Sequence, residues 1–465
     1  MDAHKNRLLD LSASWLQGYG PRIVWRDTAT PESGGRGKKR KKTLKASPAA
    51  KERAYSATPS QCSTASITGS STSEGCLEVI PRRVSNIPQD MQLEDYKYLY
   101  HWTTILSPLL SVTSHVEYNP FQQYLTPMAF MAGPLRYTIL FCAAKHLSAL
   151  AGQLGQEKHI LYYQSLALRH LNQALSSQNE AVSDCTLASV LMMQLSQLFA
   201  SDQEPRADHL AGATCIIRKR REVPARSNSC GRFLESLFRY HDVMSSITRG
   251  DRPLLDHNDA PAADSDAFLG NIGTLLEIIS QISTLQPRKH LTSQTPANGV
   301  EETSVDSAIL ATGSSLEAEL RHWTAPSGDP DWLNTAEAFR HAAFIYLYRV
   351  IYNIGAPHPL TLQHVRCCIE ALRGVSTTSP LMSVHAWPIF TAGCESVSPS
   401  DRDFCARRLQ DMFHIRKLFS LLRVKRAMAE VWSRKDQEAL HGADKVCKID
   451  CIDVLKQRGR ELELG

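Results

Sequence analysis

The chain has 465 residues, 43% of them hydrophobic, which is enough apolar side chain for one large core or two to three smaller ones. Its net charge of +5 is unevenly spread: residues 1–60 hold thirteen Lys/Arg against five Asp/Glu, a net +8, and the remainder carries −3. A basic arm ahead of a near-neutral body excludes a uniformly acidic or basic protein and points to an anionic partner or an import signal.

Asp2, Asp10 and a polar first turn argue against a secretory signal. Residues 1–92 read as a disordered arm. It contains the aromatic-glycine phrase Gly18–Trp25, a basic run (Arg36, Lys38, Lys39, Arg40, Lys41, Lys42) and the Ser/Thr/Gly-rich stretch Ser56–Gly75, which offers almost nothing to bury. Helical spacing starts at Leu93 and defines a domain over 93–440. Leu135, Ile139, Ala143, Leu147 and Leu150 recur on one helical face, with Pro134 at the first turn. Further helices are predicted over 157–177, over 183–201 with Ser183 or Asp184 as N-cap, and over 231–250, closed by Gly250. Cys185–Ser201 is the longest uncharged helical stretch, and it is too short and too polar to cross a bilayer, so no membrane partner is expected.

One helix is expected near 267–285, between loops at "DHNDAPAADSD" and "QPRKHLTSQTPANGVEETS". Residues 335–355 are apolar on nearly all sides from Ala342 to Tyr352, which predicts a central helix; His341 and Arg349 argue against a bilayer. Helices at 361–373, 401–422 and 423–439 follow, and residues 441–465 read as a charged tail. No run of alternating strands is present. The expected fold is all-α: antiparallel helical hairpins packed into one large domain.

Candidate chemistry is sparse. The stretch "GGRGKKRKKT" is not a phosphate loop, because no apolar strand leads into its cations. Neither G-x-S-x-G nor H-E-x-x-H occurs. The twelve cysteines contain no CxxC, and several lie in apolar runs, which suits buried thiols in a reducing compartment. His364 and Cys368 share a helix face, and packing explains them better than a metal does. His241-Asp242 reads as an ordinary helix-surface pair, and Cys447 and Cys451 as exposed thiols in the tail. The expectation is therefore no enzyme, with no catalytic, cofactor or metal residue. The basic run, in a flexible arm, suits receptor-read nuclear import or contact with phosphates.

Several phrases together resemble one family: Asn119-Pro120-Phe121, "ILFCAAKHLSALAG", His209–Ile217, Phe238–Leu254, Ala342–Tyr352 and Trp387–Met412. Their order and spacing over about residues 93–435 are similar to the fungal-specific transcription factor domain, the helical regulatory region that follows a zinc binuclear cluster in fungal transcription factors. Gly18–Trp25 resembles the phrase that ends such clusters. Residues 1–17 contain no cysteine, so the cluster is expected to be missing from this chain, and zinc would enter only if it were restored. The resemblance implies a nuclear transcriptional regulator. Its partners would be transcription machinery or co-regulator proteins, a homodimer is possible in principle, and binding to DNA would be weak and without sequence preference. The competing reading is a helical scaffold or adaptor with no direct role in transcription.

Overall fold

Among the described residues the first helix starts at Leu93. The computed structural model describes residues 90–465 apart from 114–117, 153–156, 203, 205–206, 223–227, 257–267, 271, 293–300, 326–327, 441–449 and 459–461. The phrase Gly18–Trp25, the basic run 36–42, the stretch 56–75 and Cys447 lie outside the described residues.

Helix α1 (Leu93–His101) opens on a capping box in which Asp95 accepts the Gln92 backbone N–H at 2.9 Å. A π-helical turn, Trp102–Leu106, carries it into α2 (Ser107–Leu110). A second π turn, Phe121–Leu125, leads to α3 (Thr126–Ala129), and the Trp102 indole N–H ties the two turns by donating to Thr126 Oγ1 at 2.9 Å. Pro134 occupies the first position of α4 (Pro134–Leu150), where a missing N–H costs nothing. Helices α4 and α5 (Glu157–Leu175) form the first hairpin. The one-turn α6 (Gln178–Ala181) precedes α7 (Asp184–Leu195), whose N-cap is Ser183; its hydroxyl accepts from Thr186 N at 3.2 Å. Because α1 and α7 also pack on α4, that helix is buried round most of its circumference.

A 3₁₀ turn, Ser196–Phe199, ends this layer. Helices α8 (Leu210–Glu222) and α9 (Ser229–Arg249) then pack on α7. Gly250 closes α9 in the left-handed conformation, φ 64°, which only glycine adopts without cost. Helix α9 bridges the two halves of the fold by meeting α10 (Gly273–Thr292). The second half contains α11 (Glu301–His322), α12 (Pro330–Leu347) with its π turn Tyr348–Tyr352, α13 (Pro359–Arg373), a 3₁₀ turn Pro380–Val384, α14 (Ala386–Cys394), α15 (Pro399–Arg416), α16 (Phe419–Leu440) and α17 (Cys451–Arg458). Helix α12 is the hub here. It pairs with α13 and also packs on α10, α11 and α14, so Ala342–Leu347 are buried without a break. Among the described residues no β-strand occurs, and the fold is the all-α stack of helical hairpins that the sequence predicts.

Several expectations are corrected. The loop expected at 286–304 overlaps α10, which runs to Thr292, and α11, which starts at Glu301. The helix expected over 401–422 stops at Arg416, because Lys417 adopts φ 53° and turns the chain into α16. The tail does not project into solvent throughout: Ile452, Val454, Leu455, Leu462 and Leu464 are buried, and α17 packs on α9 and α16.

Among the described residues, buried or half-buried cations seal several helix ends. The last carbonyls of a helix have no partner within it and carry the negative end of its dipole. Arg136 donates to Ala129 O and Phe130 O after α3. Arg220 donates to Val182 O after α6, and Arg423 to Gln197 O and Ala200 O after the 3₁₀ turn. Arg408 reaches Leu372 O and Val375 O at the end of α13, Lys435 reaches Cys394 O at the end of α14, and Arg416 reaches Leu109 O in α2. All but Arg136, which links the consecutive helices α3 and α4, join elements distant in sequence.

Candidate functional site

The densest group of buried charge lies where the π turn after α12 meets α14, α16 and the start of α17. Glu395, 3% exposed, is its centre. Its Oε1 accepts Arg349 Nη2 at 2.6 Å and Lys435 Nζ at 2.8 Å, while Oε2 accepts the Ala356 backbone N–H at 2.7 Å. Burial works to raise the Glu395 pKa, but the Lys435 and Arg349 charges outweigh it and hold the carboxyl below its ordinary value. Asp450, half-buried at the head of α17, feels the Arg349 charge; burial dominates there and raises its pKa. Gly355 lies against the Arg349 guanidinium so closely that a Cβ would overlap it. Two cations and a backbone N–H on one buried carboxylate make a structural clamp that ties the π turn after α12 to α14 and α16.

The histidines form two pairs. His101 Nε2 lies 2.8 Å from His146 Nδ1, and His146 Nε2 lies 3.0 Å from Arg416 O. His341 Nδ1 lies 2.8 Å from His364 Nδ1, and the His364 ring stacks on Phe344 with centroids 4.2 Å apart. Burial pushes His101, His341 and His364 down to about 4. Cys368 is fully buried and donates to Ala338 O at 3.4 Å, so His364 and Cys368 do share a face, and packing accounts for it. Among the described residues no group of three His, Cys, Asp or Glu could hold a metal ion.

Two sequence expectations fail. His241 and Asp242 are buried, not a surface pair: α9 is covered by α7, α8, α10 and α17. Asp242 accepts the backbone N–H groups of Leu254 (2.9 Å) and Leu255 (3.1 Å) and so fixes the chain after the helix; burial raises its pKa to about 6. Cys451 is half-buried beside Cys394 rather than exposed, and its hydrogen bond with Cys394, followed by burial, raises its pKa well above the ordinary thiol value.

An open depression of about 460 Å³ lies over the π turns, lined by Thr103, Thr104, Pro108, Gln122 and Thr126. It contains no acid or base. Its hydroxyls are already committed, Thr103 to Leu99 O and Thr104 to Tyr100 O. No helix of the described residues is long and apolar enough to cross a membrane.

The six basic residues predicted to contact a receptor or phosphates, Arg36, Lys38, Lys39, Arg40, Lys41 and Lys42, lie outside the described residues, so the structure brings none of them to a site. Sequence reasoning missed Glu395 as the partner of Arg349 and Lys435 as the second cation on that carboxylate. They stand 46 and 86 residues further along the chain, and no local pattern signals such a pairing.

Comparison with known proteins gives one match. The model of the fungal specific transcription factor domain matches residues 97–465. No curated protein and no solved structure matches the chain. The matched span begins within α1 and includes α17 and the residues after it. A zinc binuclear cluster does not fit the residues present: the first cysteine is Cys62, and the twelve cysteines include no CxxC.

Proposed function

The chain belongs to the fungal specific transcription factor domain family, and from that membership we propose that it is a nuclear regulator of transcription acting through its helical body on transcription machinery or co-regulator proteins. The observation that carries this reading is the family match over residues 97–465, which covers nearly all the described helices. The family does not favour the scaffold alternative, and it is not an enzyme family. Five consecutive cations, Lys38–Lys42, supply the import signal. The proposal assigns zinc to no residue of this chain and gives it no base-reading element, since specific readout needs side chains held rigidly against base edges.

Replacing Lys38–Lys42 by alanine tests the reading in a fluorescent fusion: nuclear accumulation should be lost, and unchanged accumulation would remove the import signal. DNA binding by the purified chain should be weak, the same for random and selected duplexes, and steeply salt-dependent. With about six cations engaged, the log–log slope should lie near about −5. A selected duplex bound more than about a thousandfold tighter than random would overturn the claim that the chain does not read sequence.

A further inference from the structure

Leu462 and Leu464 are buried although residues 462–465 form no helix. Leu462 and Leu464 are 6% and 1% exposed. They lie in a cradle whose walls are the end of α7 with its 3₁₀ turn, the middle of α9, and α16. Side chains alternate in an extended chain, and here the alternation has a use: Leu462 and Leu464 are buried, while Glu463 between them is taken by Arg423 of α16. Arg423 donates to Glu463 Oε2 through Nη2 at 2.7 Å and Nε at 3.1 Å, while its other donors hold Gln197 O and Ala200 O. The guanidinium is therefore anchored by the wall itself and stays aimed at whatever carboxylate enters.

The position after Leu464 is also selective. A Cβ on Gly465 would lie 2.9 Å from the Tyr240 ring and 3.0 Å from His241 Nδ1. Fit is not complete. A void of about 10 Å³ remains among Gln194, Leu198, His241 and Leu464, and both the Tyr240 hydroxyl and Gln197 Oε1 are buried without a partner.

We infer that this cradle is a docking site for a short acidic–aliphatic peptide of the pattern Leu-Glu-Leu-Gly, presented by a partner protein and occupied in cis by Leu462–Gly465. The occupant is set by charge and shape: one carboxylate for Arg423, a branched aliphatic residue on each side of it, and no side chain at the fourth position. Alternating acidic and aliphatic residues are common in disordered interaction segments, which supply such a peptide without folding beforehand. The inference goes beyond the transcription reading, and its test does not depend on it.

The probe is a fluorescein-labelled, amidated peptide with the sequence of Glu461–Gly465, titrated by anisotropy into a chain ending at Arg458 and into the full chain. The shortened chain should bind it, and the full chain at least about tenfold more weakly, because its own segment fills the cradle. Arg423→Gln in the shortened chain, or Glu463→Lys in the peptide, should each cost at least about tenfold. Absence of binding by a shortened chain that keeps its helical circular dichroism would overturn the inference, as would equal binding of the lysine peptide. Should the shortened chain unfold, full-length Glu463→Arg, which expels the segment without deleting it, must take up the peptide. If that variant refuses the peptide or unfolds as well, Leu462–Gly465 is fixed core and the docking site does not exist.

Discussion

His146 has no choice of tautomer. The Arg416 carbonyl can only accept, so His146 carries its proton on Nε2; its Nδ1 then accepts, and His101 must donate from Nε2. His385 Nε2 lies 2.9 Å from Thr335 Oγ1, which also reaches Asp331 O at 2.7 Å, and His385 Nδ1 is buried without a partner. These rings stay neutral because burial disfavours the cation. His101, His209, His241, His341 and His364 are pushed down to about 4 and His385 to about 3. In the unfolded chain each titrates near about 6.5. As the pH falls below that value the unfolded state binds protons that the folded state refuses, so this stability is present above about pH 6.5 and is lost towards about pH 4. Asp242, raised to about 6 by burial, works in the opposite sense over part of the window, but it is one group against six. Each unmatched proton is worth about 1.4 kcal/mol per pH unit. The urea midpoint should therefore fall steeply between about pH 7 and about pH 5, and a flat profile would contradict the neutral pairs. None of this was legible in the sequence. A histidine in an apolar run shows neither its depth nor its partner, and His101 and His146 are 45 residues apart.

Helix ends, more than helix middles, decide how the elements join. The middles were legible where apolar residues fill most of a turn, as in α4 and α12. Helix α11 was not legible: its buried stripe is Ile309, Gly313, Leu316 and Leu320, a narrow line one residue wide flanked by Ser, Thr and Glu. The break between α15 and α16 was misplaced because Lys417 gives no turn signal, and its positive φ is imposed by the packing on both sides. The cation seals belong to this scale and are invisible to local pattern. Arg416 is buried with no carboxylate at hand, and burial lowers its pKa to about 10. It stays because it satisfies carbonyls of Leu109, Ser379 and Pro380 at once. Arg416→Met keeps the bulk and removes the donors. Each buried carbonyl left short costs about 1–3 kcal/mol, partly offset by the relief of burying a charge. A net loss of about 2 kcal/mol or more in urea unfolding is expected, whereas Arg407→Met, at an exposed position of the same helix, should change stability by less than about 0.5 kcal/mol. Equal effects at the two positions would show that the seals carry no stability.

At the scale of the whole molecule, the boundary of the folded body is the question the sequence answered least well. Residues 441–465 read as a tail because ten of the twenty-five are charged and the apolar positions are too few to show a period. Their burial depends on a groove built by α9 and α16, which no short window of sequence displays. The consequence is a sharp contrast between two truncations. Ending the chain at Arg458 removes Leu462–Gly465 but keeps α17, with Ile452, Val454 and Leu455 still covering α9 and α16. Ending it at Leu440 removes α17 and Asp450 as well. Three aliphatic side chains then leave the core, at about 1.5–3 kcal/mol each. Arg349 and Lys435 are left with Glu395 as their shared carboxylate, and the uncovered faces of α9 and α16 become an apolar patch. Domains of ordinary stability have only about 5–15 kcal/mol to lose. The chain ending at Arg458 should therefore melt cooperatively, and the chain ending at Leu440 should aggregate or lose its cooperative transition. Scanning both by circular dichroism and light scattering decides it. Indistinguishable melting curves would mean that α17 is an appendage and that the body ends at α16.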